Sequence, residues 1–288
     1  MKKILYILTS VLCAVALVSC EKENYGTTPG TDSTPYVVFS TFSPSLPYDA
    51  DTDVLARFAA NSNTADLYYL AELTATKEQR NLAPEAYADY VIQNGTKLST
   101  TESVFDGSRG VDAYITGLKG DNTITAVAVN AAGEKYSTST TFFGINWVTV
   151  STGTYEFGNT WISNYVGSTS VSGIELQQRA DSPNYYRFKN LYGTAHHLNI
   201  VLYPEYTATD DDGTYTFFRV PAQATGLSHK SYGAINVRDV GYWQGDEDYV
   251  FAYGYESGMY KDYSCFLMIQ TYVSAGNCGY KYDYFIPE

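Results

Sequence analysis

Gly117-Leu118-Lys119-Gly120-Asp121-Asn122-Thr123-Ile124-Thr125-Ala126-Val127-Ala128-Val129-Asn130-Ala131-Ala132-Gly133-Glu134 is the stretch on which the reading of the fold turns. It is a short apolar run closed at both ends by turn residues, and the chain around it repeats that pattern. Upstream, Val54, Ala56 and Phe58 point one way along a run while Leu55 and Arg57 point the other, so one face can pack. Asn61-Ser62-Asn63 supplies the turn before the next run, Tyr68 to Leu73. Downstream, Tyr136 to Phe143 makes a last strand. No long stretch carries the 3.6-residue period of a helical bundle, so the first half is predicted to be a β-sandwich. One interruption stands out: Pro84 to Gln93 places proline at a first helical turn, apolar residues at Tyr87, Tyr90 and Val91, and Asn94-Gly95 as a stop. It predicts a short surface helix.

The Gly117 to Glu134 stretch resembles the F strand and following turn of a fibronectin type III domain. That resemblance implies that Ile124, Ala126 and Ala128 face inward and that Asn130 to Gly133 reverses the chain. The tyrosine that locks the corner in that family has no counterpart, since its place falls to Ile124 or Asn122, and Phe58 stands where the second strand often carries tryptophan. The helical insert is similar to those in type III domains of Bacteroidetes lipoproteins, and the resemblance covers roughly residues 36–146. Such domains often serve as spacers, which is the role expected here.

Residues 1–20 read as a label. Lys2 and Lys3 precede an apolar run from Ile4 to Val18 that is too short to span a bilayer, as in a secretory signal. Leu17-Val18-Ser19-Cys20 resembles the lipobox of bacterial lipoproteins, which implies removal of the signal, lipidation of Cys20 and a membrane anchor. Glu21-Lys22-Glu23 resembles the export signal of Bacteroidetes surface lipoproteins, implying an outer-membrane protein held at the cell surface. Residues 21–35 have the composition of a flexible tether, able to reach on the order of 50 Å when stretched. Asp32-Ser33-Thr34 resembles a Bacteroidetes O-glycosylation site.

Residues 150–288 alternate more densely. Tyr186 and Phe188 oppose Arg187 and Lys189; Leu198, Ile200 and Leu202 oppose His197 and Asn199; Ile235 and Val237 oppose Asn236 and Arg238. Turn signals at Asp181-Ser182-Pro183-Asn184, Asp211-Asp212-Gly213 and Gly245-Asp246 leave about eight antiparallel strands, a second sandwich or a closed barrel. The fold class is therefore all-β throughout. Tyr249, Phe251, Tyr253 and Tyr255 are read as sharing one strand face, and Tyr280, Tyr282 and Tyr284 another. Each such ladder is either core or a platform for sugar rings.

Trp161 and Tyr165, in Asn159 to Tyr165, and Tyr242 and Trp243, in Gly241 to Asp246, sit in polar, loop-like segments. An indole there needs cover from a ligand or from a neighbouring loop, and these four are the candidate ligand-binding residues. Trp147 is expected to pack where the domains join.

With Cys13 in the signal and Cys20 lipidated, Cys265 and Cys278 remain as a disulfide candidate, although a tight turn at Ser274 to Asn277 would put them out of register. Asp210 to Gly213 and Asp246-Glu247-Asp248 lack the alternate spacing of a calcium loop, and His196 and His197, adjacent on a strand, point apart, so no metal site is expected. No nucleophile elbow, phosphate loop, zinc-protease helix or dinucleotide fingerprint is present, and no carboxylate pair stands out for glycoside hydrolysis. No cofactor is expected. The composition sets the remaining bounds. With 288 residues, 44% hydrophobic and 17% charged, a core can form; a net charge of −13 opposes binding to nucleic acid. The expectation is a non-catalytic, lipid-anchored surface protein whose C-terminal domain binds a polysaccharide or oligosaccharide, similar to accessory glycan-binding lipoproteins of polysaccharide-utilisation systems. The alternative is an adhesion or envelope-assembly protein with a protein partner, and after it a glycoside hydrolase.

Overall fold

The computed structural model describes residues 34–98, 110–245 and 249–288. Signal, lipobox, Cys20 and nearly all of the tether lie outside them. The chain divides into two compact units. The first holds residues 34–42, Leu55–Ile115 and Asp121–Phe142. The second holds Phe143–Glu288 and also takes in Ser43–Val54 and Thr116–Gly120, two segments that the sequence assigns to the first domain.

Two antiparallel sheets build the first unit. Strands β1 (Val37–Phe42), β2 (Val54–Ala60) and β5 (Val111–Ile115) run in the order β1-β2-β5. Strands β3 (Asp66–Leu73), β4 (Thr96–Leu98), β6 (Gly120–Val129) and β7 (Lys135–Gly144) run in the order β4-β3-β6-β7. This is an Ig/fibronectin type III-like sandwich. Its interior takes Ala56, Phe58 and Leu67 and, as expected, Ile124, Ala126 and Ala128, all fully buried. Helix α1 (Thr74–Arg80), which the sequence reading lacks, buries no residue and ends at Asn81 in the left-handed region. Helix α2 (Pro84–Asn94) starts on its proline and buries Tyr87, Ala88 and Val91. These residues cluster with Val127, on the opposite face of β6 from Ala126 and Ala128. So β6 is buried on both sides, and the insert is a third layer over the sheet rather than a decoration of the surface.

The second unit is a closed barrel, which decides between the two expected architectures. Strands β8 (Trp147–Glu156), β9 (Ser170–Arg179), β10 (Tyr185–Phe188), β11 (Leu198–Asp210) and β12 (Gly213–Arg219) follow one another as neighbours. The hairpin of β13 (Gln223–His229) and β14 (Gly233–Arg238) interrupts the sequence. Then β15 (Ser257–Tyr260), β16 (Cys265–Val273) and β17 (Gly276–Pro287) complete the ring, with β12 paired to β15 and β17 paired to β8. Eight strands close up and down, and β14 pairs with the far half of β16. Every pairing is antiparallel, and closure leaves the ring without a free edge.

Side chains fill the interior. Tyr155, Phe188, Phe285, Leu176, Leu198, Ile200 and Leu267 are all at most 1% exposed. The Phe188 ring lies 5.3 Å from Tyr155 and 5.2 Å from Phe285. The Tyr249 to Tyr255 ladder is not a strand: Tyr249–Ala252 is a single helical turn, α5, following α4 (Val240–Gln244). Alternate aromatics spaced for a strand sit here beside a short helix started by the Asp239 side chain, which accepts from the Tyr242 N–H. The disulfide is absent as well. Cys265 pairs with Phe285 in register, while Cys278 stands near the hairpin turn, where Val273 opposes Gly276. Seven residues of strand, roughly 20 Å, separate their rungs, far beyond disulfide reach.

Candidate functional site

Side chains alternate along each strand, so filling the barrel with one set turns the other set outward. On β17 Asp283 and Phe285 are inside, and Tyr280 and Tyr284 are exposed. Following the register across the sheet, Phe217 on β12 opposes Gly258 on β15, Gly258 opposes Phe266 on β16, Phe266 opposes Tyr284 on β17, and Tyr284 opposes Glu156 on β8. One rung along, Tyr215 opposes Tyr260. The row has a reason to be tight at Gly258. A Cβ there would lie 2.5 Å from Tyr215 and 2.6 Å from Phe266, so only glycine lets the two rings close over it. The Tyr215 ring meets Phe266 at 4.9 Å and Tyr260 at 5.6 Å, both edge-on, and Phe266 lies 6.1 Å from Tyr282.

Part of this row borders an open groove of about 990 Å³, lined by Tyr215, Tyr260, Phe266, Tyr282 and Tyr284 and by the acids Glu156, Asp210, Asp212, Glu256 and Asp262, with Lys261. Its rim is fixed by turns. Asp210 accepts from the Asp212 and Gly213 N–H groups, closing the β11–β12 hairpin, and its second oxygen accepts from the Tyr260 hydroxyl at 2.6 Å. Asp262 accepts from the Ser264 N–H and hydroxyl in the β15–β16 turn. The Tyr282 hydroxyl donates to the Gly254 carbonyl. Burial, and then the charge of Glu256, push the Tyr282 phenol up to about 12. The Tyr260 hydroxyl is raised as well, by burial and its bond to Asp210. The Tyr260 and Tyr282 phenols therefore keep their protons near neutral pH.

Comparison with known protein families, characterised proteins and solved structures gives no match. The groove must be read from its own chemistry. Ring faces offer apolar platforms, and phenols and carboxylates offer donors and acceptors at their edges. Among the described residues, no group of three His, Cys, Asp or Glu side chains is placed to hold a metal ion.

The residues singled out from sequence lie elsewhere. Trp161 and Tyr165 do come together, on helix α3 (Thr160–Val166), with ring centres 4.7 Å apart. Their segment is a helix rather than a loop, capped by Asn159, whose side chain accepts from the Trp161 N–H. The cover on the indole is a neighbouring hairpin: His229, at the end of β13, stacks on Trp161 at 6.0 Å, and Tyr232 stacks on His229 at 4.5 Å. The His229 Nδ1 accepts from the Ser231 and Tyr232 N–H groups, which holds the ring in the stack. Tyr242 lies over the Arg219 guanidinium at 4.8 Å, and Arg219 makes a buried two-pronged pair with Asp239. The backbone of Trp243 is in α4, and its side chain lies outside what is described.

Trp147 donates to Asp51 at 2.9 Å and lies over Arg187 at 4.5 Å. Arg187 also reaches Asp49, Asp51 and Gln177. The His197 side chain is only 10% exposed, with Nε2 3.4 Å from Asp49. The groove itself was half visible in sequence: the Tyr280, Tyr282, Tyr284 alternation and the Asp210 to Gly213 turn were both noted, but their convergence depends on the pairing of β12, β15, β16 and β17.

Proposed function

We propose that this protein captures glycans at the cell surface, as a lipid-anchored, non-catalytic outer-membrane protein of Bacteroidetes type in which the barrel's outer groove is the binding face. The observation that carries the reading is the groove's composition: a register-aligned row of aromatic rings flanked by carboxylates and phenols. Sugar rings pack apolar faces on such rings while their hydroxyls donate to the carboxylates. The filled interior also favours an outer site, since Tyr155, Phe188 and Phe285 occupy the space a ligand inside the barrel would need. The sandwich is a spacer in this reading, and acylation of Cys20 supplies the anchor.

Affinity-gel electrophoresis of the full chain against a panel of soluble polysaccharides tests the capture role. Retardation by at least one glycan is expected, reduced about tenfold in affinity by Tyr284→Ala or Tyr260→Ala, and unchanged by Trp161→Ala. Retardation that survives both tyrosine changes, or none on any glycan, would refute the groove as the site. Metabolic labelling with a fatty acid, lost in Cys20→Ser, tests the anchor.

A further inference from the structure

We propose that the groove prefers a positively charged saccharide, an oligomer of amino sugars, over neutral or acidic glycans: its rings take the sugar faces and its carboxylates take the protonated amine. This rests on the glycan-capture reading and names the ligand class for the same site.

The groove's acids lack the cationic partners that carboxylates have elsewhere. Elsewhere in the second unit, carboxylates meet cations: Asp49 and Asp51 with Arg187, Glu175 with Lys189, Asp181 with Arg179, Asp239 with Arg219. Glu156, Asp210, Asp212, Glu256 and Asp262 line one groove, and among the described residues none of the five is ion-paired. Among the described residues, Lys261 is the one basic residue in the lining. Glu256 is the sharpest case. Its Oε2 is buried and has no hydrogen-bond partner among the described residues, so no described donor offsets its charge.

The rings add to this preference. An aromatic face attracts a cation, and Tyr215, Tyr260, Tyr282 and Tyr284 share the groove with these acids. Negative charge from Glu256 and Asp210 adds to burial in raising the Tyr215 phenol, so the field at the rings is negative. Carboxylated or sulfated glycans would meet net repulsion from five acids set against Lys261. A floor lined by aromatic rings favours a saccharide, whose amine sits on the stacking ring itself, over a basic peptide, whose charges sit on long flexible stems.

Binding of the full chain to a glucosamine hexasaccharide and to its fully N-acetylated counterpart, in mildly acidic buffer, tests the inference directly. The amine-bearing oligomer is expected to bind at least about tenfold more tightly, with affinity falling as salt rises. Glu256→Gln should remove most of that preference by weakening the amine-bearing oligomer far more than the N-acetylated one, with its thermal midpoint confirming a folded protein; Asp262→Asn on the rim gives a second reading of the same loss. Equal or tighter binding of the N-acetylated oligomer overturns the charge preference while leaving glycan capture standing. Binding of oligolysine but not of the hexasaccharide overturns it in favour of a basic peptide. Failure of both sugars and of the neutral panel removes the capture reading and this inference together.

Discussion

Asp283 sits inside the barrel, 2% exposed, with the Tyr155 hydroxyl donating to one oxygen and the Gly158 N–H to the other. Burial outweighs those hydrogen bonds and lifts its carboxyl from 3.8 to about 7. The folded chain therefore keeps a proton that the unfolded chain releases between those values, and stability falls as pH rises through that window, then levels off. The fall is on the order of 4 kcal/mol. Asp49 has the opposite sign. Burial would raise it, but the nearby His197 imidazole, the Asp51 N–H and the charge of Arg187 hold it at about 2, so its contribution is present above 3.8 and lost as pH drops toward 2. From these two groups stability should peak on the acid side, near pH 4. Urea midpoints across pH should show this, and Asp283→Asn should flatten the limb between pH 4 and 7; an unchanged limb would remove Asp283 as its source. At Gly258, alanine should cost about 1–3 kcal/mol by forcing Tyr215 and Phe266 apart, and should weaken glycan binding with it.

Elements show where sequence suffices. Alternation in Val54 to Ala60 and at Leu198 and Ile200 put the right side chains inside, because one face of each strand was apolar and the other was not. The same rule fails on β12. There Tyr215 and Phe217 alternate with Phe218, both faces are aromatic, and only the pairing partners decide that Phe218 is core. Helix α3 was missed although Asn159 and Gly167 mark its ends, since a seven-residue helix has too few turns to show a period. Arg187 could not be read at all as a keystone. Its partners Asp49 and Asp51 lie more than a hundred residues upstream, and only the fold brings them together. Arg187→Met should destabilise by about 2–3 kcal/mol, the low end for a broken buried pair because both carboxylates still reach water. Lysine should not rescue it, since one ammonium cannot hold Asp49, Asp51 and Gln177 in the same fork geometry. Chemical denaturation and limited proteolysis at Ser43–Val54 would check both variants.

For the whole molecule, stability comes from one filled barrel and one sandwich, with no covalent cross-link between Cys265 and Cys278. Reductant should leave the melting temperature unchanged. Cys278 should react with a thiol probe in the native protein, while Cys265, buried and with its thiol pushed up by that burial, should react only on unfolding. A reductant-sensitive midpoint would contradict the strand register. That the ring closes at all was beyond the sequence, because the β8–β17 pair joins Glu156 to Tyr284.

That closing seam makes the start and the finish of the barrel neighbours, with Gly153 facing Pro287. A short linker there, with new termini opened at the Asp211-Asp212 hairpin tip, would give a circular permutant that keeps every rung of the ring. Where the ring is cut is thus a convention of synthesis rather than a requirement of its architecture, provided the permutant keeps Ser43–Val54, whose Asp49 and Asp51 hold Arg187.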